Sequence, residues 1–559
     1  MTNMTEERIV HSIVIPLGLW GHSRPLLHTC LNLLVSQPSL HITILLEPTA
    51  RFQVGNELVS PALRHLHTPN NISTIEKDFT SNTNTNGLGN TTKSPMERLQ
   101  LIVVESYAHA KEAFDPSHLV TEATSYAAMI PTFLEHLLKG NEKVVAVDNK
   151  FRGIKVTSVI FDLFQSFVPE LMTGLLKTLH LDPIPLLGFC PSNAAAAWHH
   201  FATEASGGFI AITESHVKVD LANGRDIDEA YAEHGFASYG VVKQIPGLPP
   251  KYDYEYRPLL GAAICPIAVT RQVSTMYTSL WHPACSGLIL PTIQELEEEC
   301  HKALEVELGK PVYMVGIQFP RPMWQHTRQP IEMEKPEDCR VIEFLDGMEK
   351  KHGRNSVVYI SFGSLWYPSL RLELIVYILD SLAEAVIPYV FAYATWLVTE
   401  QPKEIQEKIA AYPNGCMVKF APQWQVLQHP AVGFAVTHCG SNSTAECIMT
   451  ETPIVAMPFA ADQGEFASMI CDIYKAGITL RQTSTFKEKN ANFDKYYDGT
   501  RIIGTEAAIK DELKHAWTTL KGLEGEVMRN NMRHLRSVAE TSRTEGKGMS
   551  TMSRVGQCL

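Results

Sequence analysis

No run of eighteen or more apolar residues occurs in the 559-residue sequence, so no membrane-spanning helix is expected. Excess positive charge is also missing. Against 60 Asp and Glu stand 48 Lys and Arg, a net charge of −12 that leaves no footprint for nucleic acid. The eleven cysteines, scattered singly from Cys30 to Cys558, form no CxxC pair. They describe neither a disulfide framework nor a zinc site, and fit reduced thiols in a cytoplasmic compartment. The opening MTNMTEERIV is polar and acidic, unlike a signal peptide, and Cys558 stands too near the end for a prenylation box. No G-x-S-x-G elbow is present, which removes a serine-hydrolase reading. What remains is a globular composition, 45% hydrophobic and 19% charged, long enough for two α/β domains.

Apolar runs supply the order. Residues 9–16 (IVHSIVIP) read as a buried strand, broken by Gly18-Leu19-Trp20-Gly21, with His22 next and an apolar-periodic helix from Pro25 to Leu34. Strands follow at 41–46, 99–104, 156–160 and 186–189, with helical stretches between, an alternation that predicts a parallel sheet. A polar insertion at 81–92 reads as a loop. The prolines 320, 322, 330 and 336 mark a linker at 319–337, between a first domain at 1–318 and a second at 338–559. The second domain repeats the grammar with strands at 356–362, 389–392 and 417–420, and helices at 371–385, 507–520 and 524–539.

The stretch from Phe420 to Gln463 is the most informative. The run GFAVT (433–437) is apolar and β-rich, and breaks at His438-Cys439-Gly440 into Ser441-Asn442-Ser443-Thr444. The hydroxyl and amide side chains there are good N-caps for a helix at 444–450, whose free N–H groups suit a phosphate. Glu446, read as lying on that helix's first turn, can reach a sugar diol. A second junction, PIVAM (453–457), leads to Asp462-Gln463 at another helix start. Two strand ends side by side, one for phosphate and one offering a carboxylate and an amide, describe a nucleotide-sugar site.

This segment resembles the signature box of the family 1 UDP-dependent glycosyltransferases, plant secondary-product type. The matches are Ala421-Pro422-Gln423, His429, Gly433, Thr437-His438-Cys439-Gly440, Asn442-Ser443, Glu446, Pro453 and Asp462-Gln463, in register without insertion or deletion. Phe420 stands where the plant box has Trp, and Ser441 where it has a second Trp. Further likeness lies in Ile245-Pro246-Gly247-Leu248-Pro249, in residues 286–297, and in residues 545–550 near a final helix that crosses back onto the first domain.

The resemblance implies the GT-B architecture, two doubly wound Rossmann-like domains facing across a cleft. It implies an inverting UDP-glycosyltransferase that needs no metal and no cofactor beyond its UDP-sugar. Gln463 points to UDP-glucose, with UDP-xylose and UDP-glucuronate left open by Ser441. His22 is placed as the base for the acceptor hydroxyl, and Asp162 as the carboxylate that orients it. For the donor, Phe420 stacks on uracil beside the Ala421 backbone, and Gln423 and Glu446 hold the ribose. His438, Gly440, Ser441, Asn442, Ser443 and Ser364 surround the diphosphate, while Asp462 and Gln463 take the sugar hydroxyls. The acceptor is expected to be a small lipophile (terpenoid, sterol, polyketide or phenolic), held by loops at 105–114, 164–172 and 192–212 with Tyr107, Phe164, Phe167, Trp198 and Phe201; core packing is the better expectation for most of these aromatics. A lone D-x-D at Asp226-Ile227-Asp228 reads as a solvated loop, not a metal site. Two alternatives stay open: another GT-B sugar-nucleotide enzyme (epimerase or hydrolase), and a binding regulator without catalysis.

Overall fold

The computed structural model describes residues 9–60, 63, 66, 93–104, 119–325, 336–393, 398 and 400–559. The insertion at 81–92, the loop at 105–114 with Tyr107, and residues 326–335 of the expected linker lie outside them.

The first sheet is built from β1 (Val10–Ile15), β2 (Leu40–Leu46), β3 (Leu99–Val103), β4 (Val156–Asp162), β5 (Leu186–Phe189), β6 (Cys285–Leu290) and β7 (Val312–Met314). Every pairing is parallel, and the spatial order is β7-β6-β5-β4-β1-β2-β3. The second sheet comprises β8 (Val357–Ser361), β9 (Tyr389–Ala392), β10 (Gly415–Val418), β11 (Val432–Thr437), β12 (Ile454–Ala456) and β13 (Gly477–Thr479). It is again wholly parallel, ordered β10-β9-β8-β11-β12-β13. Both are doubly wound Rossmann-like sheets, whose strand order reverses beside the first strand.

Burial on both faces explains the continuous apolar runs. In β1, Ile13 and Ile15 enter one core while Val14 enters the other. In β8, Val357 and Tyr359 face one side, and Val358 and Ile360 the other. The helices that position the site are α1 (Trp20–Ser36), α2 (Arg51–Val59), α3 (Ala194–Phe201), α4 (Gln423–Leu427), α5 (Ser441–Met449), α6 (Gln463–Ala467), α7 (Leu523–Thr544) and α8 (Lys547–Cys558). Helix α7 is anchored to the second sheet's layer by Arg529 donating to the Gly433 carbonyl (3.1 Å) and Arg536 to that of Met449 (2.8 Å). Helix α8 then puts Met552, Val555 and Leu559 into the first sheet's core.

Two expectations need correcting. Helix α1 begins at Trp20, so the Gly-containing stretch read as a loop already forms its first turn. The third strand of the second sheet is Gly415–Val418, two residues earlier than expected, so Phe420 lies beyond the strand end and 62% exposed.

Candidate active site

Strands β1 and β4 are neighbours at the reversal point of the first sheet, with Ile15 opposite Phe161. His22 lies in the first turn of the helix after β1, and Asp162 is the last residue of β4. His22 Nδ1–H donates to Asp162 Oδ2 at 2.8 Å, and Asp162 Oδ1 accepts the Phe164 N–H at 3.0 Å. The aspartate is fully buried, and the Phe164 ring meets the imidazole edge-on at 5.1 Å. A carboxylate only accepts, so the pairing fixes the proton on Nδ1 and leaves Nε2 as the basic nitrogen. Burial disfavours the charged imidazole, yet the Asp162 charge and hydrogen bond, helped by Asp462, raise its pKa above 6.5.

The second sheet repeats the arrangement at its own reversal point, with Ser361 of β8 opposite Thr437 of β11. Ser364 lies exposed in the turn after β8. After β11 the chain passes through Cys439 at φ 65°, and Gly440 caps α5 without any side-chain hydrogen bond. Ser441, Asn442 and Ser443 therefore form the helix's first turn and are not its caps; the Ser441 N–H meets the Asp462 carboxyl, and those of Asn442 and Ser443 are the ones suited to an anion. Glu446 accordingly falls on the second turn, not the first. His438 fits between two glycines: a Cβ on Gly363 would come within 2.7 Å of its ring, and one on Gly440 within 2.5 Å. Burial pushes His438 down to about 4, so at neutral pH it offers an N–H without charge.

Beyond β12, Ala461 at φ 57° turns the chain into Asp462, the residue before α6. A left-handed non-glycine residue at each of these two strand ends marks backbone strain beside the cleft. Burial, with Glu465 adding repulsion, pushes the Asp462 carboxyl up to about 7, while the Ser441 N–H works the other way. Gln463 Oε1 accepts from Phe459 N–H (2.7 Å) and Ala460 N–H (3.4 Å), leaving its NH₂ as the group it can offer. Tyr359 Oη–H donates to Gln423 Oε1 (3.1 Å), Gln423 Nε2 donates to Glu446 Oε2, and Ala421 packs against the core beside them.

The two halves meet directly. Pro25 sits inside α1 and has no N–H, so the Gly21 carbonyl four residues earlier lacks its helical partner. Asn442 Nδ2 supplies the missing donor from the second domain at 3.1 Å. One turn further along each helix, Arg24 Nη1 donates to Glu446 Oε1 at 2.7 Å.

Residues 261–490 match the family model described as UDP-glucoronosyl and UDP-glucosyl transferase. Limonoid UDP-glucosyltransferase of Citrus unshiu is 32% identical over 219 residues, which take in 38% of this chain and 40% of that protein. Through this stretch the chain resembles that family, and it spans only part of the length of the curated relatives it matches. Two solved members of the same fold carry the likeness across the whole length. A transferase from Siraitia grosvenorii in complex with UDP superposes with a TM-score of 0.62 at 16% identity, covering 98% of this chain and 99% of that one. UGT71G1 of Medicago truncatula, complexed with UDP-glucose, gives 0.61 at 18% identity, covering 98% of each. At such identities the likeness carries the GT-B fold alone.

The D-x-D is structural. Asp226 caps the helix 227–234 by accepting the N–H groups of Asp228 and Glu229, and Asp228 pairs with Arg271 at 2.8 Å. Among the described residues, three groups of His, Asp and Glu come within ligand reach of one another, and none includes His22, Asp162 or Asp462. Of the expected acceptor-loop aromatics, Phe201 is core, Phe167 and Trp198 pack on the core's edge, and Phe164 alone of these four contacts His22. Sequence reasoning missed Arg24 and the buried His199–Glu465 pair (2.5 Å) joining α3 to α6. A cation two residues beyond His22 was the available signal for the first; the second has none.

Proposed function

We propose that this protein transfers glucose from UDP-glucose to a hydroxyl of a small lipophilic acceptor (a terpenoid, sterol, polyketide or phenolic), with inversion, without a metal, in the cytoplasm. One observation carries the reading. The His22–Asp162 pair, from the first domain, faces the Asp462 carboxyl and the uncapped N-terminus of α5, from the second. That brings a base with a defined tautomer to the place where a sugar and a departing diphosphate would be held.

In this reading Nε2 of His22 removes the acceptor proton and the freed oxygen attacks the anomeric carbon. The bond from that carbon to the diphosphate breaks, and UDP leaves with the electron pair. Asp162 holds the imidazolium that results. The leaving charge meets the N–H groups of Asn442 and Ser443 and the Ser441 hydroxyl, with neutral His438 as a further donor. Phe420 presents an exposed ring for the uracil, Ser364 stands beside the phosphates, and Asp462 and the NH₂ of Gln463 hold the sugar. The eleven free cysteines fit the cytoplasmic assignment.

The test is UDP release from UDP-glucose in EDTA across a panel of hydroxylated terpenoids and phenolics, with His22→Ala alongside. The expected result is acceptor-dependent release with a β-glycoside product, reduced about 10²–10⁴-fold in the variant while UDP still binds. Equal release without acceptor would favour the hydrolase or epimerase reading. UDP binding without any release, on UDP-xylose and UDP-glucuronate as well, would favour the regulator.

A further inference from the structure

Glu446 is 3% exposed, and each of its oxygens already has one protein donor. Gln423 serves Oε2 from within the second domain, held in turn by Tyr359, whereas Oε1 is served by Arg24 from the first. We infer that Arg24 is a positioning residue for the donor's ribose: it holds Glu446 from across the cleft, so that the diol site is complete only when both domains meet. The assignment rests on the reading of Glu446 as the ribose-binding carboxylate.

A carboxylate offers about four acceptor positions, two on each oxygen. Arg24 and Gln423 take one apiece, which leaves one on each oxygen, the arrangement a vicinal diol needs. The arginine therefore has no reason to leave when ribose arrives; it orients the acceptor that ribose uses. Its own position is well determined. The side chain is 14% exposed, its guanidinium carbon stands 5.5 Å from the Phe319 ring, and its Nε lies 3.7 Å from Glu57, which also pairs with His28 at 2.7 Å. The Nε hydrogen itself has no hydrogen-bond partner, so the short bond to Glu446 is this guanidinium's main directed contact. Because Arg24 follows His22 by two residues on α1, one rigid helix presents both the base and the group that sets the ribose carboxylate.

An ordinary interdomain ion pair would predict something different: its loss would weaken every ligand of the cleft alike. Calorimetric affinities of UDP and of 2′,3′-dideoxy-UDP separate the two cases. Wild-type protein is expected to prefer UDP by about 10-fold or more, a hydrogen bond or two to a charged group. Arg24→Ala is expected to lose most of that preference while binding 2′,3′-dideoxy-UDP within about twofold of wild type, and Arg24→Lys, a point donor without the planar fork, to recover part of it. A variant that keeps the wild-type ratio, or weakens both ligands equally, overturns the role of Arg24 and leaves the donor site standing. Wild-type protein that binds neither ligand, or both equally, overturns the ribose reading and this assignment with it.

Discussion

Protonation at single residues sets two opposing pH responses in the cleft. A base must be neutral to act, so with Asp162 holding the His22 pKa above 6.5, kcat/KM should rise with pH through that raised value. Asp162→Asn removes the largest raising influence and leaves burial, which lowers it. The acid limb should therefore move to lower pH while the plateau falls about 10²–10⁴-fold, read from kcat/KM between pH 5 and 9. An acid limb that stays in place would show that another group controls it. Asp462 behaves in the other sense. Its folded pKa of about 7 lies above its ordinary 3.8, so its neutral form stabilises the fold at low pH, and that contribution disappears as pH rises through 7. Asp462→Asn cannot ionise. Its Tm relative to wild type should therefore climb by on the order of 2–4 °C between pH 5 and pH 8, while turnover falls.

At the scale of elements, what could be read in advance depended on how local the cause was. Strands buried on both faces announce themselves as unbroken apolar runs, and β1, β5, β8, β9 and β11 were legible to within about a residue at each end. Helix starts at the cleft were not, because the residues that look like caps lie inside the first turn: Ser441 to Ser443 follow a Gly440 cap that has no side chain to recognise, whereas the helices at 506–521 and 523–544 begin within a residue of expectation. His22 and Asp162, expected together from the family resemblance, are paired in the structure, but Arg24–Glu446 and Asn442–Gly21 join residues 422 and 421 positions apart, and no local pattern records them. Pro25 shows how a helix defect becomes a contact. Pro25→Ala returns an N–H to α1, which should stabilise the isolated helix and offer the Gly21 carbonyl a partner at close range. The Asn442 bond then competes with a helical one. A few-fold rise in KM for the donor is expected from Pro25→Ala and from Asn442→Ala, and the double variant should be no worse than either. Full additivity would mean the two residues act independently.

At the scale of the molecule, the ties between the two domains include, besides the His199–Glu465 pair, three more among the described residues. One is the cleft contact itself. A second is a strap formed by residues 481–502, where Tyr254 stacks on Phe493 at 4.5 Å, Tyr254 Oη–H donates to the Lys495 carbonyl at 2.7 Å, and the Tyr497 N–H donates to Glu255 at 2.8 Å. The third is the passage from α7 to α8, where Glu295 accepts Ser542 Oγ–H and the Lys547 N–H, both at 2.7 Å. Of these three, the cleft contact lies at the proposed substrate site, so the remaining ties can hold the domains together while that one adjusts. The third is also part of a core: Met552, Val555 and Leu559 complete the packing against β7 and α1. Burying three such side chains contributes roughly 5 kcal/mol, comparable to the whole stability of many domains. Removing residues 547–559 should therefore do more than loosen a tail. The truncated protein is expected to melt at least 10 °C lower, or to be recovered only as aggregate, and hydrogen exchange should rise first in β7 and α1. Unchanged exchange in those elements, with donor affinity alone reduced, would assign α8 to domain orientation and not to the first core.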